Sequence, residues 1–321
     1  MFPERLHGVS RAILGGAEDI VRALSRYAAH EGGAIKSRSA EIRRFADRAR
    51  ATDEQGSRNI AAAGGLQNNS SRAEFSPTSN AGSQLPVRRR PGGTERINRQ
   101  IGEGLLERHG IEAYGFGTPG VSTDTVRGIA AALDDMLAKY PHTRILSIEI
   151  GDVEGDIARA LEDRVGHTDL RATRITFSTK YATDPGLLST DVSKAVQRRH
   201  FVPRSQGPAY STIVHEFGHA LTYAGRSAAL GKADSALLDH YRKTYGHKGS
   251  GSDTDESYEK WRDQLSGYSF WKGGEFHPVE ALAEAFADVE LNGARASEPA
   301  QVMHRLLVDT AESQWRREGL M

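Results

Sequence analysis

The sequence predicts an α+β fold: a small mixed β-sheet among longer helices, behind a short helical N-terminal segment. Three observations carry this. Residues 145–150 and 171–181 (RATRITFSTKY) are rich in β-branched residues, and the second stretch alternates apolar with polar positions, the period of a half-buried strand. Apolar residues recur at helical spacing through Val126, Ile129, Leu133 and Leu137, and again through Leu282, Phe286 and Val289. Between these blocks, residues 210–223 (YSTIVHEFGHALTY) place His215, Glu216 and His219 in the pattern H-E-x-x-H on a third amphipathic stretch.

The whole chain narrows the function classes. Its 321 residues leave room for one large domain and a smaller segment. Lys plus Arg and Asp plus Glu balance at 42 each, so no global field argues for a nucleic-acid partner. Mean hydropathy is −0.54, and no stretch approaches the roughly 20 apolar residues of a membrane span. Glu18 and Asp19 interrupt the only apolar run near the N-terminus, so no signal peptide is expected. Cysteine is absent, which removes disulfides, thiolate ligands and a cysteine nucleophile together. His and carboxylate remain as metal ligands.

Along the chain, residues 1–50 carry helical periodicity with a mild basic bias. Residues 51–94, rich in Gly, Ser, Asn and Pro, read as a flexible linker that buries too little apolar surface to offset chain entropy. They include the basic run Arg88-Arg89-Arg90. Residues 95–321 form the expected main domain. Its predicted order is a helix over 97–110, a short strand over 111–116, a helix from Ser122 or Thr123 to Pro141, and a strand over 145–150. A helix over 157–165, the strand over 171–181, and a helix over 187–196 follow, leading into the H-E-x-x-H helix. Further helices are expected over 226–245, 258–265, 278–292 and 299–321, with a polar loop over 246–257.

On a helix, two histidines four residues apart share one face and can hold a single zinc ion. Glu216 beside the first ligand is then placed to act as general base. Ile213, Phe217 and Leu221 give this helix its apolar stripe, and Ser211 or Thr212 is a candidate cap. Gly218 costs about 1 kcal/mol against alanine inside a helix. That choice makes sense where another backbone, such as a substrate-binding strand, passes close by.

A catalytic zinc takes three protein ligands and leaves one position open. The third is expected from residues 278–292 (PVEALAEAFADVELN), where Glu280, Glu284 and Asp288 form an acidic ladder at four-residue spacing. Carboxylates stacked this way repel unless a cation or a histidine sits opposite. Both Glu280 and Glu284 are candidates on this ground.

HEFGHAL followed about sixty residues later by E-x-x-A-E-A-F resembles the gluzincin metalloproteases, most of all the anthrax lethal factor-like catalytic domains of bacterial toxins and phage-encoded proteins. The resemblance implies a zincin-like domain with one zinc per chain, held by His215, His219 and Glu280. Glu284 would orient a ligand histidine; a thermolysin-like reading would make Glu284 the ligand with Asp288 behind it. Tyr268 would stabilise the oxyanion, with Tyr210 and Tyr223 as further possibilities. The strand over 171–181 would be the edge strand that aligns substrate, through Arg174, Thr176 and Ser178. The implied activity is endopeptidase cleavage of a protein or peptide, in a toxin, an effector or a phage-encoded protein delivered by a dedicated route. A zincin-shaped binding or structural module without turnover is the alternative.

Overall fold

The structure, a computed structural model, describes residues 92–164, 170–199, 201, 206–246 and 252–321. All belong to one unit of the chain, Arg88–Met321. The expected N-terminal helices over 1–50, the linker up to residue 91 with its basic run, and residues 247–251 of the polar loop lie outside the described residues.

Helix α1 (Gly93–His109) ends at Gly110, whose left-handed backbone (φ 70°) closes the last turn. It leads to the short strand β1 (Glu112–Tyr114) and helix α2 (Thr123–Lys139), where the Ser122 side chain accepts from Thr125 N. Strands β2 (Ile145–Gly151), β3 (Ala158–Arg164) and β4 (Arg171–Ser178) follow. A short helix α3 (Thr179–Thr183) and α4 (Pro185–Gln197) lead to α5 (Pro208–Ala224), which carries the histidines. Helices α6 (Ala233–Tyr245), α7 (Ser252–Arg262), α8 (Pro278–Asn292) and α9 (Glu298–Arg317) complete the described chain. The fold class is therefore α+β with a small mixed sheet, and no described helix is long and apolar enough to cross a membrane.

Sheet order is β1-β2-β4-β3, with β1, β2 and β4 parallel and β3 antiparallel to β4. Two expectations are corrected here. Residues 157–165, expected as a helix, hold β3. Ala, Leu, Glu, Asp and Arg favour helix locally, but pairing Ala160 with Ile175 and Glu162 with Thr173 overrides that preference. The strand over 171–181 is not an edge. Arg174 pairs with Ser147 and Leu161, and Thr176 with Glu149 and Arg159, while Ser178 N donates to Ile157 O (2.8 Å). The backbone of Arg174, Thr176 and Ser178 is thus taken up by neighbours on both sides, and β3 holds the edge.

Helix α5 is buried along most of its length, from Ser211 to Thr222. It packs against α2, α8, α9 and the β3–β4 side of the sheet. Ile213, Val214, Phe217 and Leu221 supply its apolar contacts. Pro208 opens the helix and Gly207 occupies the cap position, so neither Ser211 nor Thr212 caps it; Ser211 Oγ donates back to Gln206 O (3.2 Å). A backbone does pass close to Gly218, but it belongs to α8 and not to a strand. A Cβ at Gly218 would lie 2.9 Å from Ala283 Cα. With Ala281, Ala283 and Ala287 buried on α8, small residues on both helices let the two backbones approach, and the site forms between them.

Candidate metal centre

The α5 histidines face α8 across this close contact. His215 Nε2 and His219 Nε2 are 3.2 Å apart. Glu280 Oε2, from the first turn of α8, lies 3.3 Å from His215 Nε2 and 3.6 Å from His219 Nε2. The three residues form a group able to hold a metal ion. Ligand bonds of 2.0–2.1 Å around a tetrahedral ion put neighbouring ligand atoms about 3.3 Å apart, which these separations match. Glu280 Oε2 is buried and has no hydrogen-bond donor in the described structure. A buried carboxylate oxygen with two imidazole nitrogens beside it and no donor is an acceptor in need of a cation.

Glu284, one turn along α8, is buried (side chain 1% exposed) and places Oε1 2.8 Å from His215 Nδ1. In the tautomer this contact favours, Nδ1 carries the proton and Nε2 presents its lone pair to the group. Glu284 thus sits behind His215 while Glu280 faces both histidines. Asp288 is directed elsewhere: it accepts from Asn292 Nδ2 (2.8 Å) and Ser297 N (3.4 Å), closing the end of α8.

The electrostatics point the same way. Burial alone would lower the pKa of His215, but Glu280 and Glu284 outweigh it and raise the group to about 10. Burial works against ionisation of Glu280 too, yet His219 and His215 hold it well below the usual carboxylate range. The cluster therefore stabilises one added positive charge, which a proton on His215 or a metal ion can supply.

Glu216 is buried, and burial raises its pKa, opposed by His215 and His219. Its carboxylate also accepts from the Ala160 backbone on β3. Tyr223 Oη donates weakly to Ala160 O (3.5 Å), so α5 grips the edge strand at this residue through both backbone groups. Tyr210 is committed to Asp135 instead (2.7 Å). Neither Tyr210 nor Tyr223 is free to serve an oxyanion.

Tyr268 stands in a single 3₁₀ turn, Gly267–Ser269, with its ring 6.2 Å from His215 and packed edge-on against Phe201 (5.6 Å). It is 39% exposed at the rim. Partial burial and then the charges of Glu280, Asp156, Glu216 and Glu284 push its hydroxyl pKa up, so it stays protonated as a donor. Of the sequence-derived site residues, the structure gathers His215, Glu216, His219, Glu280, Glu284 and Tyr268. Asp288 and the three β4 residues take structural positions. Sequence reasoning missed Ala160, Phe201 and His277, whose side chain accepts from Glu280 N (3.1 Å). Only His277 had a local signal, its place before Pro278 at a helix start. Compared with protein-family models, curated proteins and solved structures, the chain matches none of them.

Proposed function

We propose that the protein is a zinc-dependent endopeptidase with a zincin-like domain. The observation that carries this reading is the buried H-E-x-x-H helix closed by Glu280, with ligand-atom separations of 3.2–3.6 Å suited to one tetrahedral zinc ion. His215, His219 and Glu280 would hold the ion. Bound zinc supplies Lewis acidity, polarising a peptide carbonyl and making water acidic near neutral pH.

The chain's own residues supply the rest. Glu216, dry and turned away from bulk water, accepts the proton of the attacking water and passes it to the leaving amine. Its raised pKa suits that exchange, because a carboxylate destabilised by burial is a better base than an exposed one. Tyr268, neutral and at the rim, donates to the oxyanion. An extended peptide can add to a sheet edge by backbone pairing. The edge beside α5 is β3, so substrate alignment would move from β4 to the β3 positions flanking Ala160, whose own backbone groups meet Glu216 and Tyr223. The wider setting, a toxin, effector or phage-encoded protein acting on a protein substrate, rests on the resemblance of HEFGHAL and E-x-x-A-E-A-F alone.

The test is cleavage of a proteome-derived peptide library by zinc-loaded protein and by Glu216→Gln. The wild type should cut. The variant should keep its zinc and lose about 10³-fold or more in rate, the range removed with a general base. Equal cleavage by both would sink the assignment. A zinc-loaded wild type that cuts nothing would favour the non-catalytic binding module.

A further inference from the structure

Residues 269–277 separate Tyr268 from the helix that bears Glu280, and residues 268–277 fold as a hairpin. Phe270 and Phe276 form its antiparallel bridge. Trp271 N donates to Glu275 O (2.7 Å) and Gly274 N to Trp271 O (3.0 Å) across the tip. Gly273 and Gly274 take positive φ there (115° and 84°), a turn that side chains would strain. Phe270 and Phe276 seat the hairpin on the Arg262 guanidinium, 5.5 and 5.8 Å from their ring centres.

At its end, the hairpin does the work of a helix cap in an unusual way. In a capping box, the cap side chain accepts from the backbone of the third helical residue. The carboxylate of that third residue then returns to the cap N–H. Here the third residue of α8 is Glu280, and His277 Nδ1 accepts from its N–H (3.1 Å). His277 N donates to Ser269 O in the hairpin (2.9 Å), where a capping box has that N–H meet the carboxylate of the third residue. The Glu280 carboxylate faces His215 and His219. Asn, Asp, Ser and Thr are the more usual caps; the His277 ring also lies edge-on to Trp271 (centroids 3.6 Å apart, 81°).

We propose that His277 is a positioning residue for the metal site: tied to the hairpin through Ser269 O, it caps α8 at Glu280 and presents that carboxylate to the ion. The hairpin begins at Tyr268 and ends at His277, so it sets two parts of the site in one frame. This rests on the metal reading above, and the test separates the two.

Zinc affinity is measured by chelator competition for the wild type, His277→Ala and His277→Asn, alongside the Tm of each apo-protein. Leu282 and Phe286 anchor α8 in the core, so the Ala variant should fold. His277→Ala should weaken zinc binding about 10- to 100-fold, the range for residues that orient ligands. His277→Asn, which keeps a cap acceptor, should recover affinity to within about threefold of the wild type. An Ala variant with lowered Tm and unchanged affinity would make His277 a structural cap and overturn the proposal. Equal loss in Ala and Asn variants would overturn it too. A wild type that takes no zinc would instead overturn the metal reading, and this inference with it.

Discussion

At the scale of single residues, the site depends on which oxygen or nitrogen each side chain leaves free. Glu284 commits one oxygen to His215 Nδ1, Asp288 closes the end of α8, and Glu280 turns a buried oxygen toward both histidines. The sequence ladder Glu280–Glu284–Asp288 could not divide those roles, because all three share a helical face. Only the placement of α5 opposite the first turn of α8 separates them. Tyr268 has a similar history: its twelve-residue distance from Glu280 looks long until the hairpin between them folds back. On the proposed endopeptidase reading, Tyr268→Phe should lower kcat about 10²-fold or more with KM little changed, the pattern of a donor used only in the transition state. A change confined to KM would remove Tyr268 from the oxyanion role.

Among the elements, α5 and α8 were legible in the sequence because their signals are local: a motif, an apolar stripe and a proline at a helix start. Strand β3 was not. ARALEDR has helical propensity, and its strand state comes from pairing with β4 and from the grip of Glu216 and Tyr223 on Ala160. The edge position followed from the same non-local pairing, which no window of sequence reports. The α5–α8 contact gives a direct check on this scale. Gly218→Ala gains about 1 kcal/mol of helix propensity, but its Cβ meets Ala283 Cα at 2.9 Å, and backbone there cannot yield cheaply. Overpacking of about 1–3 kcal/mol should prevail. Thermal melts should show Tm lower by roughly 2–6 °C, and an unchanged or higher Tm would mean the helices are less tightly apposed.

Across the whole molecule, stability should depend on acid through carboxylates away from the candidate metal centre. Glu290 on α8 accepts from Lys139 Nζ (2.7 Å) and Tyr140 Oη (2.6 Å) on the α2 side and lies 2.8 Å from His304 Nε2 on α9, tying three helices together. Burial opposes its ionisation, yet His304, Lys139 and Tyr140 hold its pKa at about 2, below the ordinary 4.5. A depressed carboxylate contributes stability fully above its unfolded pKa and loses it as pH falls through the folded one. The contribution, on the order of 3 kcal/mol, should therefore fade between pH 4.5 and about 2. Denaturant melts of the wild type and Glu290→Gln should differ most at neutral pH and converge across that window. A difference that stays constant with pH would place the tie elsewhere.

All of these effects surround one claim, that α5 and α8 together build a metal site. Zinc content per chain, measured by mass spectrometry for purified wild type and for Glu280→Ala, tests it most directly. About one zinc in the wild type, with most of it lost in the variant, is the expected result. Zinc retained by Glu280→Ala would pass the third ligand to Glu284, and a wild type without zinc after reconstitution would contradict the metal centre itself.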